Sequence, residues 1–126
     1  MRKITLAECP VRAMIQVMGT KWRPLILYNL MARPQHFGEL RRLLGATQKV
    51  LTDDLRGLEH EGIIERKVDE QAIPHRVEYS LSPYGNTLRP ILSLMCEWGE
   101  RHRVQHPPLQ VNVAGLRGSR ETIGPS

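Results

Sequence analysis

The sequence predicts a mainly α-helical domain that carries one small β-hairpin. Apolar residues at helical spacing fill most of the chain up to Gly62, and beyond it the spacing changes to the alternation typical of strands. The composition agrees, because one Phe, three Tyr and two Trp leave the core to Leu, Ile, Val and Met, as in packed helices. With 126 residues, the chain has the size of a single domain.

The first two helices are predicted from the residues that begin and end them. In CPVRAMIQVMG, Cys9 takes the cap position, Pro10 opens the helix and Gly19 ends it. The apolar residues of this helix share one face: Val11, Met14, Ile15 and Met18. A second, strongly apolar helix begins after a Thr20 cap and stops before Pro34.

The next two helices have the spacing of a helix-turn-helix. HFGELRRLLG is a short amphipathic helix that ends at Gly45, and only Ala46 separates that glycine from Thr47, the predicted cap of the following helix. The following helix, TQKVLTDDLRGLEHEG, has one apolar stripe: Leu51, Leu55 and Leu58. A tight turn between two such helices predicts that the second one is the recognition helix.

After the recognition helix the pattern predicts a β-hairpin and a last helix. IIERKVDE and RVEYSLS alternate as strands and QAIPH joins them, so the hairpin is predicted to be the wing of a winged helix-turn-helix. Ser82 and Pro83 then cap and open a final helix, in which Pro90 is predicted to cause a kink. Residues 1–103 are therefore predicted to form the folded domain, and residues 104–126, rich in Pro, Gly and Ser, a flexible tail.

The recognition helix carries a polar stripe opposite its leucines, made of Gln48, Lys49, Thr52, Asp53 and Arg56 with Thr47 at its start. Gln pairs with adenine and Lys with guanine in the major groove of DNA, and a carboxylate accepts from cytosine. Asp53 would either do this or orient Arg56. A solvated helix surface is the alternative, but a tight turn before the helix and a hairpin after it favour the groove.

Other basic side chains are predicted to hold the DNA backbone. Arg66, Lys67 and Arg76 lie on or beside the wing, although cross-strand pairs with Glu65 or Glu78 would explain Arg66 and Arg76 nearly as well. Lys21 and Arg23 begin the second helix, where free amides and the helix dipole favour a phosphate.

The charge of the chain is unevenly distributed around a net value of +5. Residues 1–46 hold eight basic and two acidic side chains, whereas residues 47–79 hold five basic and eight acidic ones. A basic total favours a polyanionic partner, but selected side chains must then make the contacts. No apolar run approaches the roughly 20 residues of a membrane span, and the first residues do not resemble a secretion signal, which together predict a cytoplasmic protein.

The two cysteines are predicted to differ in reactivity. Cys9 lies at a helix start, with Arg12 one turn on and Arg2 and Lys3 upstream, and such a setting favours the reactive thiolate. The alternative is that Cys9 is a small apolar residue in a dimer interface. Cys96 lies in an apolar stripe beside Met95, which predicts a core position.

No metal site, cofactor or enzyme activity is predicted. Cys96, His102 and His106 are of ligand types, but six residues of helix turn by about 240°, so Cys96 and His102 would face different ways. The sequence shows no Ser/His/Asp set, no carboxylate pair in an apolar setting and no phosphate-binding glycine loop. A thiol-dependent enzyme that uses Cys9 would lack a recognisable base.

These residues also carry a family resemblance. CPVRAMIQVMGTKWRPLILYNLM, HFGELRRLL, TQKVLTDDLRGLEHEGIIER, PHRVEYSLSPYG and WGERH resemble, in order, the HxlR-type winged helix-turn-helix transcription regulators, which are relatives of the MarR group. The resemblance covers about residues 9 to 103. It departs from the common pattern at His36, where Arg is usual, and at Ala46, where Ile is usual.

The resemblance implies a homodimeric DNA-binding regulator, in which Cys9 matches a cysteine that senses oxidants or electrophiles in several members. We therefore expect sequence-specific binding to double-stranded DNA at an inverted-repeat operator, controlled by a redox or electrophile signal or a small ligand. The alternative from another class is a winged-helix domain that binds a protein through its first and last helices and does not bind DNA.

Overall fold

The computed structural model describes residues 3–108, and its secondary structure confirms the predicted mainly helical fold with a wing. The α-helices of this part are α1 (Pro10–Met18), α2 (Trp22–Ala32), α3 (Phe37–Leu44), α4 (Gln48–His60) and α5 (Arg89–Gln105). The strands are β1 (Gln35–His36), β2 (Ile64–Asp69) and β3 (Arg76–Leu81). No helix among these residues is long and apolar enough to cross a membrane.

The chain divides into two compact units between Leu92 and Ser93, and each is described by itself. The first holds α1 to α4 and the sheet, and the second holds most of α5. Because α5 continues to Gln105, the first two residues of the predicted tail are helical. Residues 109–126 of that tail lie outside the described residues, and so does Arg2.

The leucine stripe of α4 is buried in the core, as predicted. Leu51, Leu55 and Leu58 are at most 1% exposed, because their spacing places all three on the inner side of the helix. They belong to one cluster with the buried residues of the neighbouring helices: Ile26, Leu27, Leu30 and Leu40. The buried stripe fixes which side of α4 faces solvent.

The predicted turn between α3 and α4 is also confirmed. Gly45 has a φ of 70°, the left-handed conformation that glycine adopts without a steric penalty. Ala46 is buried, and the Thr47 side chain accepts a hydrogen bond from the Val50 amide at 3.2 Å. The start of α4 is thereby fixed by its cap.

The sheet has the strand order β1-β3-β2, and all its pairs are antiparallel. The hairpin of β2 and β3 was predicted, with Ile64 opposite Leu81 at its base. Strand β1 was not predicted, because two residues show no period. Its Gln35 lies opposite Tyr79, which ties the start of α3 to the wing.

Two sequence predictions about the last helix are wrong. Pro90 causes no interior kink, because residues Gly85–Leu88 form a separate 3-10 turn and α5 begins only at Arg89, which places Pro90 in the first turn. Cys96 is exposed and does not belong to the core. On α1, Met14 packs against the core, but Val11 and Ile15 are 62% and 61% exposed.

Candidate nucleic-acid interface

The polar stripe of α4 faces solvent. Gln48, Lys49, Asp53 and Arg56 are exposed and Thr52 is half-buried, because the leucines on the opposite side hold the helix against the core. Thr47 is exposed at the helix start, where its hydroxyl serves as the cap. All six predicted positions therefore lie on the accessible side or the start of this helix.

The members of the stripe differ in whether they already have a partner. Lys49 Nζ lies 2.9 Å from Asp53 Oδ2, so Asp53 pairs with Lys49 and does not orient Arg56. Across residues 3–108, the side chains of Gln48 and Arg56 form no hydrogen bond or ion pair. These two side chains are free to contact a ligand without breaking an existing interaction.

A cavity of about 480 Å³ separates α4 from the sheet. Two arginines line it, Arg56 from α4 and Arg66 from β2, together with the carboxylate of Glu59. Its other lining residues are Phe37, Gln48, Thr52, Val77 and Tyr79. An open cleft with guanidinium groups from two elements is suited to an anionic chain such as a DNA backbone.

The wing cations do not form the cross-strand pairs considered above. Arg66 is opposite Tyr79 in the register and, within the described part of the chain, has no ion pair. Lys67 lies opposite Glu78. Arg76 lies opposite Asp69, and one of its terminal nitrogens is 3.2 Å from His36 Nδ1. Arg66 and Lys67 remain available for phosphate, whereas Arg76 is engaged at the β1 end of the sheet.

Arg23, which the sequence predicts as a phosphate anchor, is engaged by other residues of the chain. Its side chain is 16% exposed and forms an ion pair with Asp54, with Nε 3.2 Å from Oδ1. The Thr20 hydroxyl accepts from the amides of Trp22 and Arg23 at the start of α2, as predicted for a cap. Lys21 is exposed and lies 4.6 Å from the Trp22 ring centroid. Of the two predicted anchors, only Lys21 is available.

Two polar groups near this surface were missed. Asp54 is 5% exposed on the leucine side of α4, and its spacing of three residues from Leu51 was the signal that could have found it. Glu39 accepts from Arg33 at 2.9 Å and from the His36 amide at 2.8 Å, and these bonds lower its pKa from 4.5 to about 2. Glu39 therefore fixes the start of α3.

The cysteines and histidines form no metal site in the described part of the chain. Cys9 is half-buried at the cap position of α1, and its thiol makes no capping hydrogen bond. The rings of His102 and His106 stack with centroids 4.6 Å apart, and Trp98 stacks on His102.

The fold agrees with comparisons to known proteins. A family model of HxlR-like helix-turn-helix proteins matches residues 17–107. The chain belongs to this family. The HTH-type transcriptional regulator YdeP of Bacillus subtilis is 42% identical over 96 residues, which are 75% of this chain and 74% of YdeP. A similarly described regulator of Methanothermobacter thermautotrophicus is 40% identical over 95 residues, covering 75% of this chain and 72% of that protein.

Solved structures of two regulators have the same architecture. The redox regulator HypR in its oxidised form superposes with a TM-score of 0.69 at 42% identity, covering 74% of this chain and 96% of HypR. The reduced form of the regulator YodB of B. subtilis gives a TM-score of 0.63 at 30% identity, covering 74% of this chain and 92% of YodB. The predicted resemblance is thereby confirmed.

Proposed function

We propose that this chain is a transcriptional regulator that binds specific sequences of double-stranded DNA. The observation that carries the proposal is the exposed polar face of α4 beside a cleft in which Arg56 and Arg66 have no ion pair within residues 3–108. The relatives of the family, described as HTH-type transcriptional regulators, support the same function.

Within the proposed interface, reading and anchoring are divided between two groups of side chains. Gln48 and Lys49 lie in the first turn of α4 and would contact base edges, as the first residues of a recognition helix do. Arg56, Arg66 and Lys67 would hold phosphates on either side. The Arg23 guanidinium is excluded from this set, because Asp54 engages it.

We further propose that the regulator acts as a homodimer on an inverted repeat. One α4 can contact only one half-site, and two-fold protein symmetry requires two related half-sites. Support comes from the exposed apolar residues of the terminal helices, each considered by itself: α1 exposes Val11 and Ile15, and α5 exposes Leu94 and Trp98 at 64% and 60%. A single sedimentation boundary at the dimer mass at micromolar concentration is the expected result.

A thiol signal is proposed to control DNA binding. HypR, a redox regulator at 42% identity, has been solved in oxidised and reduced forms. Cys9 is half-buried at the start of α1, a helix without a fully buried residue. Modification of this thiol would disturb a helix that packs against the core only through partly buried side chains.

Selection of duplexes from a random pool, followed by salt titration, tests the DNA-binding proposal. We expect a recurring inverted repeat among the selected duplexes and a linear loss of log affinity with log salt, because bound cations displace condensed counterions. Binding without sequence preference would contradict specific recognition. No binding in low salt would favour the alternative, a domain that binds only proteins.

A further inference from the structure

A buried carboxylate connects the recognition helix to the junction of α1 and α2. Asp54 lies on the inner side of α4 and is 5% exposed. Its Oδ2 accepts from the Thr20 hydroxyl at 2.9 Å, and its Oδ1 accepts from Arg23 Nε at 3.2 Å. Both oxygens are therefore held by residues more than 30 positions earlier in the chain.

The same two partners also hold the end of α1 and the start of α2. The Thr20 hydroxyl accepts from the first amides of α2, and Arg23 NH1 lies 3.4 Å from each of the Gln16 and Val17 carbonyl oxygens. Arg23 NH1 is also 3.6 Å from a Glu61 carboxylate oxygen just beyond α4. One guanidinium thus bridges the last turn of α1 and both ends of the Asp54–Glu61 segment.

The surface of α4 is shaped to receive this guanidinium. Gly57 lies one turn beyond Asp54, and a Cβ at that position would lie 2.9 Å from Arg23 Cζ and overlap its terminal nitrogen. The backbone of Gly57 does not require glycine, since its φ is not positive. A glycine inside a helix weakens it relative to Ala, so its presence here is explained by the space that Arg23 needs.

A buried ion pair is weak evidence for stability, because the cost of desolvating both charges offsets their attraction. Its directional bonds do fix how the elements are placed. This matters for α1, which has no fully buried residue and contacts the core only through partly buried side chains: Met14, Val17 and Met18.

We propose that Asp54, Arg23 and Thr20 are positioning residues that couple α1 to the recognition helix. A displacement of α1 would change the placement of the Asp54 side of α4 and hence of the face that contacts DNA. Coupling between sites is reciprocal, so DNA binding on α4 must also change the freedom of α1. This inference rests on the proposed DNA-binding function.

Hydrogen exchange of the full-length protein tests the coupling, with the tightest duplex selected from a random pool as the probe. In the wild type, saturating duplex should slow amide exchange in the first turn of α4 and also at residues 15–18 of α1. We expect exchange to slow about fivefold or more in both segments, which is the lower end of typical coupling between sites. In Asp54→Asn, saturating duplex should slow exchange in α4 alone.

Two further variants distinguish coupling from a loss of folding. Gly57→Ala keeps every charge and raises helix propensity, but it displaces Arg23, so it should also remove the protection of α1. Glu100→Gln, which breaks the Glu100–Arg103 ion pair inside α5, should behave as the wild type. Because Gly57→Ala favours the helix, a loss of α1 protection in this variant could not be ascribed to a weakened α4.

The outcomes separate this inference from the proposed function. If the wild type binds a selected duplex without protection of α1, or if Asp54→Asn and Gly57→Ala retain that protection, the coupling is overturned and the DNA-binding function stands. If the wild type binds no duplex at all, both are overturned.

Discussion

The ammonium group of Lys49 lies 2.9 Å from the carboxylate of Asp53, one turn further along the exposed face of α4. The two side chains are 84% and 57% exposed, and such a pair contributes at most about 1 kcal/mol. DNA can therefore separate them easily. Without DNA, Asp53 fixes the position of the Lys49 side chain on the surface of the helix. Its carboxylate also places one negative charge on a face that is proposed to lie against DNA.

Removing this negative charge should strengthen nonspecific binding. Asp53→Asn is expected to raise affinity for random duplex about threefold, ~0.6 kcal/mol, the size of one exposed charge interaction. The preference for the selected duplex over random DNA should fall, because Lys49 loses its fixed position. Fluorescence anisotropy in a series of salt concentrations measures both. Glu97→Gln, the same change of charge outside the proposed interface, is the control. Equal affinities of Asp53→Asn and the wild type for random DNA would contradict this prediction.

Base reading and phosphate anchoring should separate on mutation. Gln48→Ala is expected to weaken the free energy of binding to the selected duplex by about 1–3 kcal/mol and to change binding to random DNA little, because only base-edge hydrogen bonds disappear. Arg66→Ala should instead weaken binding to both duplexes. The slope of log affinity against log salt should also become shallower, by the amount that corresponds to the loss of about one phosphate contact. Lys21→Ala should behave as Arg66→Ala does. Equal losses of Gln48→Ala on both duplexes would place this side chain outside the base-reading set.

The structure shows which features a single sequence could predict. Leu51, Leu55 and Leu58 were predicted because their burial follows from spacing within one helix, and the Thr47 cap because its hydrogen bond closes over three residues. Strand β1 was missed because its two residues become a strand only through pairing with Tyr79 and Glu78. Local patterns thus predicted the helices and the hairpin but not the third strand.

The contact between Arg23 and Asp54 could not be predicted from the sequence, for a physical reason. Arg23 was assigned to phosphate because a cation at a helix start has that chemistry, but its partner Asp54 lies 31 residues further along the chain. Asp54 itself breaks the hydrophobic pattern and is tolerated only because Thr20 and Arg23 satisfy both its oxygens. A polar contact between distant segments leaves no period in the sequence.

Stability should depend on pH through Glu39. Its pKa is lowered from 4.5 to about 2, first by the hydrogen bond from Arg33 and then by that from the His36 amide. A carboxyl group with a lowered folded-state pKa stabilises the protein above its unfolded pKa and loses this contribution as pH falls from about 4.5 towards 2. Urea unfolding measures the free energy of unfolding at pH 6 and at pH 3.5. The decrease between the two pH values should therefore be smaller for Glu39→Gln than for the wild type.

Arg33→Gln removes the largest cause of this lowered pKa and serves as the matched variant. Arg33→Gln retains the carboxyl group of Glu39, and its stability should also decrease less on acidification than that of the wild type, although the difference should be smaller than for Glu39→Gln. If the free energy of unfolding decreases by the same amount in all three proteins on acidification, Glu39 does not contribute to the pH dependence of stability.

Gly85 should not tolerate a side chain. A Cβ there would overlap the carbonyl oxygen of Ile63, and the backbone is held because Ser82 Oγ lies 3.0 Å from that oxygen and accepts from the Gly85 amide at 2.9 Å. Gly85→Ala is expected to lower the free energy of unfolding by about 1–3 kcal/mol, as overpacking does. Gly99→Ala is the control, since nothing lies within 4 Å of its Cβ and helix propensity should raise stability by up to about 1 kcal/mol. Thermal melts of the two variants measure this difference. If their melting temperatures shift in the same direction relative to the wild type, the close packing of Gly85 against Ile63 does not explain the effect.

The two thiols should both react, but only one should change DNA binding. Cys96 is exposed, so mild oxidants and quinones can reach it, and its modification should be visible in intact-protein mass. Cys9 occupies the position before the first residue of α1, and Arg23 holds the last turn of the same helix. Modification of Cys9 or its bridging to a second subunit would therefore move α1 and, through Asp54, the face of α4.

We therefore expect oxidant to change the affinity of the wild type and of Cys96→Ser for the selected duplex, while Cys9→Ser does not respond. Anisotropy before and after treatment, with the fraction of each thiol modified measured on the same sample, gives the comparison. Full modification of Cys9 with unchanged affinity would leave Cys9 with the packing role of a small apolar residue. A response of Cys9→Ser as large as that of the wild type would assign the signal to Cys96 instead, and the coupling from α1 to α4 would then have no part in it.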